Sequence, residues 1–275
     1  MTRTGKVRAL MGLLVLLAAC VAVAAPRFDD RAAMSLPETT LELEAHSFEF
    51  DAPSAAMEAM LADPADWSPP PPPVRIETGI EYLRSLIRFD RDGWIKATAL
   101  NWDQDEGWTL WMRRSRTGAA APSAIDLALT PPEGSGGALL SLGGGTIHHP
   151  DPRSREMELN TRRPGQPPER VVRTERLGAD GRLLGWSSRT YREGADVEDD
   201  EFAIVSRDAH GLAVRARQLR DGTWYDVSIR YFGTDERGQP LRMLRVFRPQ
   251  GAGEDAAPAR ADLTLYGYRY DDEAR

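Results

Sequence analysis

The stretch WYDVSIRYF, residues 224–232, alternates apolar and polar side chains without a break. Tyr225, Val227, Ile229 and Tyr231 fall on one parity, and Asp226, Ser228 and Arg230 on the other. A side-chain period of two belongs to an extended strand with one face in apolar surroundings and one in water, and it excludes a helix there. Turn signals of one kind punctuate the chain. Asp90-Arg91-Asp92-Gly93, Asp180-Gly181, Asp208-Ala209-His210-Gly211, Asp221-Gly222 and Asp235-Glu236-Arg237-Gly238 each place an acid before a glycine. Asp-Gly supplies the positive φ that hairpin turns need. SLIRFDRDGWIKATALNWDQDEGWTLWMRR reads as three strands joined at Asp92-Gly93 and at residues 103–107. Turn glycines from Gly181 onward lie 30, 11 and 16 residues apart, so a solenoid of fixed period is not supported. The expected fold is mainly β, an antiparallel meander forming an open barrel or a sandwich, with one short N-terminal helix.

The pattern also divides the chain. Residues 1–19 read as a signal peptide, 20–38 as a polar tether, and 39–67 as a strand with a break near His46-Ser47 followed by a helix capped at Ser54 and stopped at Asp63-Pro64. Residues 68–73, SPPPPP, form a stiff polyproline connector. Residues 74–275 are the antiparallel β domain, with a loop-rich middle at 117–170 holding at most two short strands. Within it, Gly143-Gly144-Gly145 lacks the lysine and hydroxyl of a phosphate loop and reads as a flexible turn.

The N-terminus carries Arg3, Lys6 and Arg8, then an uncharged apolar run and small residues up to Pro26, the layout of a secretory signal. Residues 9–25, at seventeen, sit at the short end of what spans a bilayer as a helix, so a retained anchor is not favoured. Two cleavage sites compete. Ala22-Val23-Ala24 suits ordinary removal and release. Leu17-Ala18-Ala19-Cys20 resembles the lipobox of bacterial lipoproteins, over residues 1–20 only. What that resemblance implies is a diacylglyceryl thioether at Cys20, cleavage before it, and acylation of the new amino terminus. Several acyl chains hold far more firmly than one, at about 0.8 kcal/mol per buried methylene.

Loss of residues 1–19, with three cations and no acid, takes the formal charge from −7 to −10. An acidic surface argues against nucleic acid and against electrostatic adhesion to anionic lipid, leaving the lipid anchor as the expected membrane partner. Cys20 is the one cysteine, so no intrachain disulfide holds the body.

No constellation reads as catalytic, and none implies a cofactor. His148-His149-Pro150-Asp151 places adjacent imidazoles on opposite faces of an extended segment, which does not make a metal site. The acidic stretches at 103–107 and 196–201 lack the spacing of a calcium loop and read as solvated turns. Trp94, Trp102 and Trp108 share a parity across a hairpin and could stack on sugars or a peptide, with core packing as the plainer alternative. GADGRLLGWSSRTY and YRYDDEAR resemble single units of the YD-type hairpin repeats of bacterial surface and toxin-shell proteins; the resemblance implies hairpins and carries no functional residue. The expected function is that of a lipid-anchored envelope protein facing the periplasm, non-catalytic, with a binding or structural role toward a protein or glycan. The alternatives are a soluble periplasmic or secreted form, an immunity-type lipoprotein that binds a toxin, and an envelope hydrolase or glycan-binding protein.

Overall fold

The computed structural model describes residues 29–50, 80–101, 108–116, 121–132, 134–162, 167–193, 197–251 and 259–271. Fourteen strands follow one another in sequence order, each antiparallel to the next: β1 (Thr40–Phe50), β2 (Ile80–Phe89), β3 (Ile95–Asn101), β4 (Thr109–Ser115), β5 (Ala124–Thr130), β6 (Leu140–Asp151), β7 (Ser154–Thr161), β8 (Glu169–Leu177), β9 (Leu183–Arg192), β10 (Glu198–Arg207), β11 (Ala213–Arg220), β12 (Thr223–Thr234), β13 (Pro240–Pro249) and β14 (Arg260–Tyr270). β1 pairs with β14 as well as β2, from Glu42 opposite Arg269 to Phe50 opposite Ala261, so the meander closes on itself. The barrel is closed where an open barrel or a sandwich was expected, and closure removes both sheet edges. β1 belongs to the same barrel as the strands beyond the proline run; its irregularity is a bulge between Ser47 and Phe48 opposite β2. The proline run and the helix expected from Ser54 lie outside the described residues.

The described helix is elsewhere. Residues 29–38, expected as tether, begin with α1 (Asp30–Ala33), capped by Asp29, whose Oδ1 accepts from the amides of Arg31 at 2.8 Å and Ala32 at 3.1 Å. This segment enters the barrel at the end that carries the tight turns. Four of those turns share one five-residue geometry. At 90–94, 178–182, 208–212 and 235–239 the first amide donates to the fifth carbonyl and the glycine amide donates back to the first carbonyl. The glycines have φ of +89°, +78°, +83° and +77°. In three of them the leading aspartate closes the turn: Asp208 Oδ1 accepts from His210 and Leu212, both at 2.9 Å, and Asp90 and Asp235 do the same in their turns. Asp221-Gly222 alone is the two-residue hairpin turn the dipeptide signals, with both φ positive. Asp208→Ala is expected to lower stability by about 1–2 kcal/mol, since two turn amides lose their acceptor. Asp180→Ala, which removes one such bond to Arg182, should lose less in the same urea titration.

The loop-rich middle holds three strands, β5, β6 and β7, where at most two short ones were expected. β6 was illegible because it contains three glycines, two histidines and a proline. His148 and His149 lie on it and point to opposite faces, and Gly143–Gly145 sit inside its ladder with β5 and β7.

Register separates the two faces of the wall. One carries Leu43, Ala45, Thr98, Met112, Ile125, Leu127, Ile147, Met157, Ala216, Val227, Ile229 and Phe247, most of them buried, and faces the interior. The outer face carries Glu42, Arg88, Arg113, Glu156, Glu158, Arg170, Arg189, Arg217, Asp226 and Arg269. Many pair across strands, as in Arg88 and Arg269 on Glu42, and Arg170 on Glu158. Arginines facing the middle of a lipid bilayer cost about 2–4 kcal/mol each, and acids less. This outer wall is built for water.

One sector of the outer wall differs. Phe50, Phe232, Leu244, Val246, Ala261 and Leu263 form an apolar cluster flanked by Phe48 and Leu265, buried although register turns it away from the lumen. β1 ends and β2 begins beside this sector, where Glu49 pairs with Ile80.

Candidate functional site

Eight strands already enclose enough space for side chains to fill or for one small ligand; sixteen to eighteen enclose an aqueous channel. Fourteen lie between, and the inner wall shows what that means here. Besides the clusters around Leu43, Phe89 and Ile95 and around Trp94 and Leu177, the inward apolar side chains among the described residues form two further clusters. One, on β4–β7, is built on Ile125, Leu127, Leu142, Ile147 and Met157 and flanked by Leu110, Met112, Leu129 and Leu159. The other, on β10–β13, is built on Ala213, Ala216, Val227, Ile229 and Phe247 and flanked by Phe202, Ile204, Tyr225, Tyr231 and Met243. The flanking residues point inward yet stay partly exposed. A packed interior would leave no such exposure. The inner wall therefore keeps apolar surface that neighbouring side chains do not cover.

Gly145 and Gly143 occupy inward positions of β6, opposite Leu159 and Thr161, and leave a notch in the first wall. Burial pushes the Tyr231 phenol on the second wall up to about 12.

Toward the turn end the first wall ends in charges. β4 continues its inward parity from Leu110 and Met112 to Arg114; β7 runs from Leu159 and Met157 to Arg155; β8 carries Arg173 and Glu175 in register with Met157 and Arg155. Asp30 of α1 reaches into this group. Its Oδ2 accepts from the Ile95 amide at 2.7 Å and from Arg114 at 3.2 Å, and its Oδ1 accepts from Arg155. Arg155 also donates to Glu175, which accepts from Arg173 Nε at 2.8 Å. Arg173 lies over the Trp186 ring, 4.3 Å from its centroid.

Burial alone would lower the Arg155 guanidinium, but Asp30 and Glu175 hold it above its ordinary value. For Arg114 burial wins and the value falls. Burial would raise Glu175, and Arg155 and Arg173 reverse it, holding the carboxyl below the usual range. His149, edge-on to Trp94 at 5.4 Å, is pushed down by burial and by Arg155. Glu175 contributes stability above about pH 4.3, lost as pH falls through its lowered pKa. His149, favoured neutral, contributes fully above about pH 6.5 and loses that as pH falls below it. Unfolding titrations from pH 7 to pH 3 should show stability falling in two steps, and His149→Gln should remove the upper one.

The aromatic face expected of Trp94, Trp102 and Trp108 is not formed by the two that are described. Trp94 and Trp108 do have inward parity, but they stand at opposite ends of β3, about 20 Å of strand apart. Trp94 is 2 % exposed and packs on Leu177, Ala33, Ala121 and Leu183 near α1; Trp108 is half-buried. Trp102, the acidic stretch 103–107 and Cys20 lie outside the described residues. The acidic stretch expected as a turn at 196–201 is mostly strand β10, where Asp199 pairs with Arg189 at 3.0 Å. Among the described residues no group of three or more His, Cys, Asp or Glu is placed to hold a metal ion.

The arginine group was missed in the sequence because its members stand at 114, 155 and 173, and only the fold joins them. Its signal was present all the same: in TLWMRRS and SREMEL a charge takes the next position of an apolar parity. A second charged group nearer the loop end, Asp262 with Arg245 at 2.7 Å and Arg260 at 3.1 Å, and Glu49 on Arg260 at 3.2 Å, is balanced in charge. At the turn end an open hollow of about 690 Å³ is lined by Ser35, His210, Leu212, Thr234, Gln239 and Pro240, with no converging charges.

No protein-family model matches the chain, and no curated protein is similar to it by sequence. Among solved structures, the chain is similar to a porin-like protein from Bacteroides vulgatus ATCC 8482, with TM-score 0.41 and 10% identity, over 69% of this chain and 94% of that one. It is also similar to a crystal structure from Nitrosomonas europaea named as an AttH, with TM-score 0.24 and 11% identity, over 84% of this chain and 93% of that one. Both likenesses are distant, and the functional reading rests on the wall and lumen of this barrel.

Proposed function

We propose that this chain is a cell-envelope binding protein, non-catalytic, that holds an apolar ligand in the barrel lumen and is tethered to a membrane by lipid at Cys20. The single observation that carries the binding role is the inner wall: apolar side chains from two separate clusters face inward and remain partly exposed. Concave apolar surface of this kind is the usual lining of a ligand site. The charged outer wall supports attachment by lipid and not by immersion of the strands. The tether rests on Leu17-Ala18-Ala19-Cys20.

Two measurements test the two parts. The neutral probe N-phenyl-1-naphthylamine should brighten on the purified mature chain, and Met157→Glu should abolish the signal while the far-ultraviolet circular dichroism stays β-type. No brightening on the folded chain would defeat the lumen reading. Mass spectrometry of the mature N-terminal peptide from the native membrane fraction should give an acylated peptide beginning at Cys20. An unmodified peptide beginning at Ala25 or Pro26 would mean the cysteine is discarded.

A further inference from the structure

Resting on the lumen reading, we infer that the ligand is an amphiphile with an anionic head, and that Arg114 and Arg173 receive that head at the turn end of the lumen. The group contains three guanidinium ions, Arg114, Arg155 and Arg173, and two carboxylates, Asp30 and Glu175, so one positive charge is left over. The group nearer the loop end has no such excess.

The excess sits where a ligand can reach it. Arg155 is 4 % exposed and engaged on both sides by Asp30 and Glu175. Arg173 is 35 % exposed. Its Nε serves Glu175, and among the described residues its two terminal nitrogens make no hydrogen bond. Arg114 gives Nη1 to Asp30, while Nη2 has only the Met157 sulfur at 4.0 Å. A buried guanidinium holds a carboxylate or phosphate through two parallel N–H donors, and a nitrogen facing a thioether has donor capacity unused.

Direction is built into the same strands. From Arg114 to Leu110 on β4 is about 13 Å of inward wall at 3.3 Å per residue, and every inward side chain beyond the arginine is apolar. Met157 and Leu159 follow Arg155 on β7, and Val171 follows Arg173 on β8. An alkyl chain lies along the partly exposed Met112, Leu110 and Leu159 with its head at the arginines. Asp200, two strands along the row from Arg173, makes no ion pair with it; the carboxylate that Arg173 engages is Glu175.

The test is competition for bound N-phenyl-1-naphthylamine by palmitate, hexadecyl phosphate and hexadecanol, on the wild-type mature chain and on R173Q and R173K. The expected result is that both anions displace the probe at least about tenfold more tightly than the alcohol, the scale of one charge-assisted hydrogen bond. R173Q should narrow that preference about tenfold, and R173K should restore part of it. Tighter binding of the phosphate than of palmitate assigns a lipid-phosphate head, and the reverse a fatty acid. Equal displacement by palmitate, phosphate and hexadecanol would overturn the anionic head and leave the lumen reading standing. An anion preference unchanged in R173Q would overturn the placement of the head. Failure of the probe itself to bind would defeat the lumen reading, and this inference with it.

Discussion

Asp30→Ala is expected to lower the stability of the barrel by about 3–5 kcal/mol, read as a drop in the urea midpoint. Asp30 is 2 % exposed at its side chain and accepts from Arg114, Arg155 and the Ile95 amide. Deleting the carboxylate leaves Arg114 buried without its ion pair, leaves Arg155 only Glu175, which Arg173 also engages, and strands the β3 amide. A buried pair adds little net stability when whole and is expensive when broken, because the surviving charge stays out of water. Asp30→Asn keeps the acceptor for Ile95 and removes only the charge, so it should lose most of the same amount. A loss under about 1 kcal/mol in both variants would mean that water reaches Arg114 and Arg155 freely.

The same substitution separates the two ends of the N-terminal segment. Arg31 donates to the carbonyls of Glu38, Thr40 and Arg91, and the Arg31 amide donates to the Gly93 carbonyl at 3.3 Å. A Cβ on Gly93 would stand 2.5 Å from the Asp29 carboxylate oxygens, so the β2–β3 turn is shaped to receive α1. Residues 29–40 are held by backbone contacts as well as by the ion group. Asp30→Ala should therefore lower stability without releasing the segment, and protection of the Arg31, Ala33 and Met34 amides from exchange should persist below the transition.

What the sequence disclosed and what it withheld follow from the same physics. WYDVSIRYF became β12 with the parity it displays: Val227 and Ile229 inward, Asp226 and Arg230 outward. The acid-glycine turns became hairpin turns, although three of them use the aspartate as an acceptor two and four residues on and not as a positive-φ residue. Closure was illegible because nothing in β1 or β14 alone announces so distant a partner; Glu42 and Arg269, 227 residues apart, pair only once the barrel exists. The tether reading failed at Asp29-Asp30, where two acids that suit a solvated linker serve as a helix cap and a buried counter-ion. Trp94 displayed the right parity and the wrong depth: strand alternation tells which side a ring faces, and the end of the barrel decides whether it is covered.

Gly145→Ala is expected to lower stability by about 3 kcal/mol or more and to broaden the amide resonances of β6 and β7. A single methyl at this site is enough, because an ideal Cβ would stand 1.9 Å from the Glu158 carbonyl oxygen, 2.9 Å from its carbon and 3.0 Å from the Leu159 Cα. These are backbone atoms of the paired strand and cannot rotate away. The neighbours repeat the constraint on alternate sides: a Cβ on Gly143 would meet the Asn160 oxygen at 2.2 Å, and one on Gly144 the Ile125 oxygen at 2.5 Å. β6 thus passes between β5 and β7 at a spacing that only glycine allows, and it bends the first apolar wall there. Gly267→Ala on β14 is the control. Its Cβ would meet nothing nearer than Glu44 Cβ at 3.8 Å, so the change should be neutral or stabilising by about 0.4–1 kcal/mol through the unfolded chain. A barrel held open by the notch at Gly145 should also lose probe fluorescence in Gly145→Ala at temperatures where it remains folded, whereas Gly267→Ala, on the water-facing wall, should bind as wild type. Equal stability of the two variants would show that β6 has room to spare and that the notch is not a fixed part of the lumen.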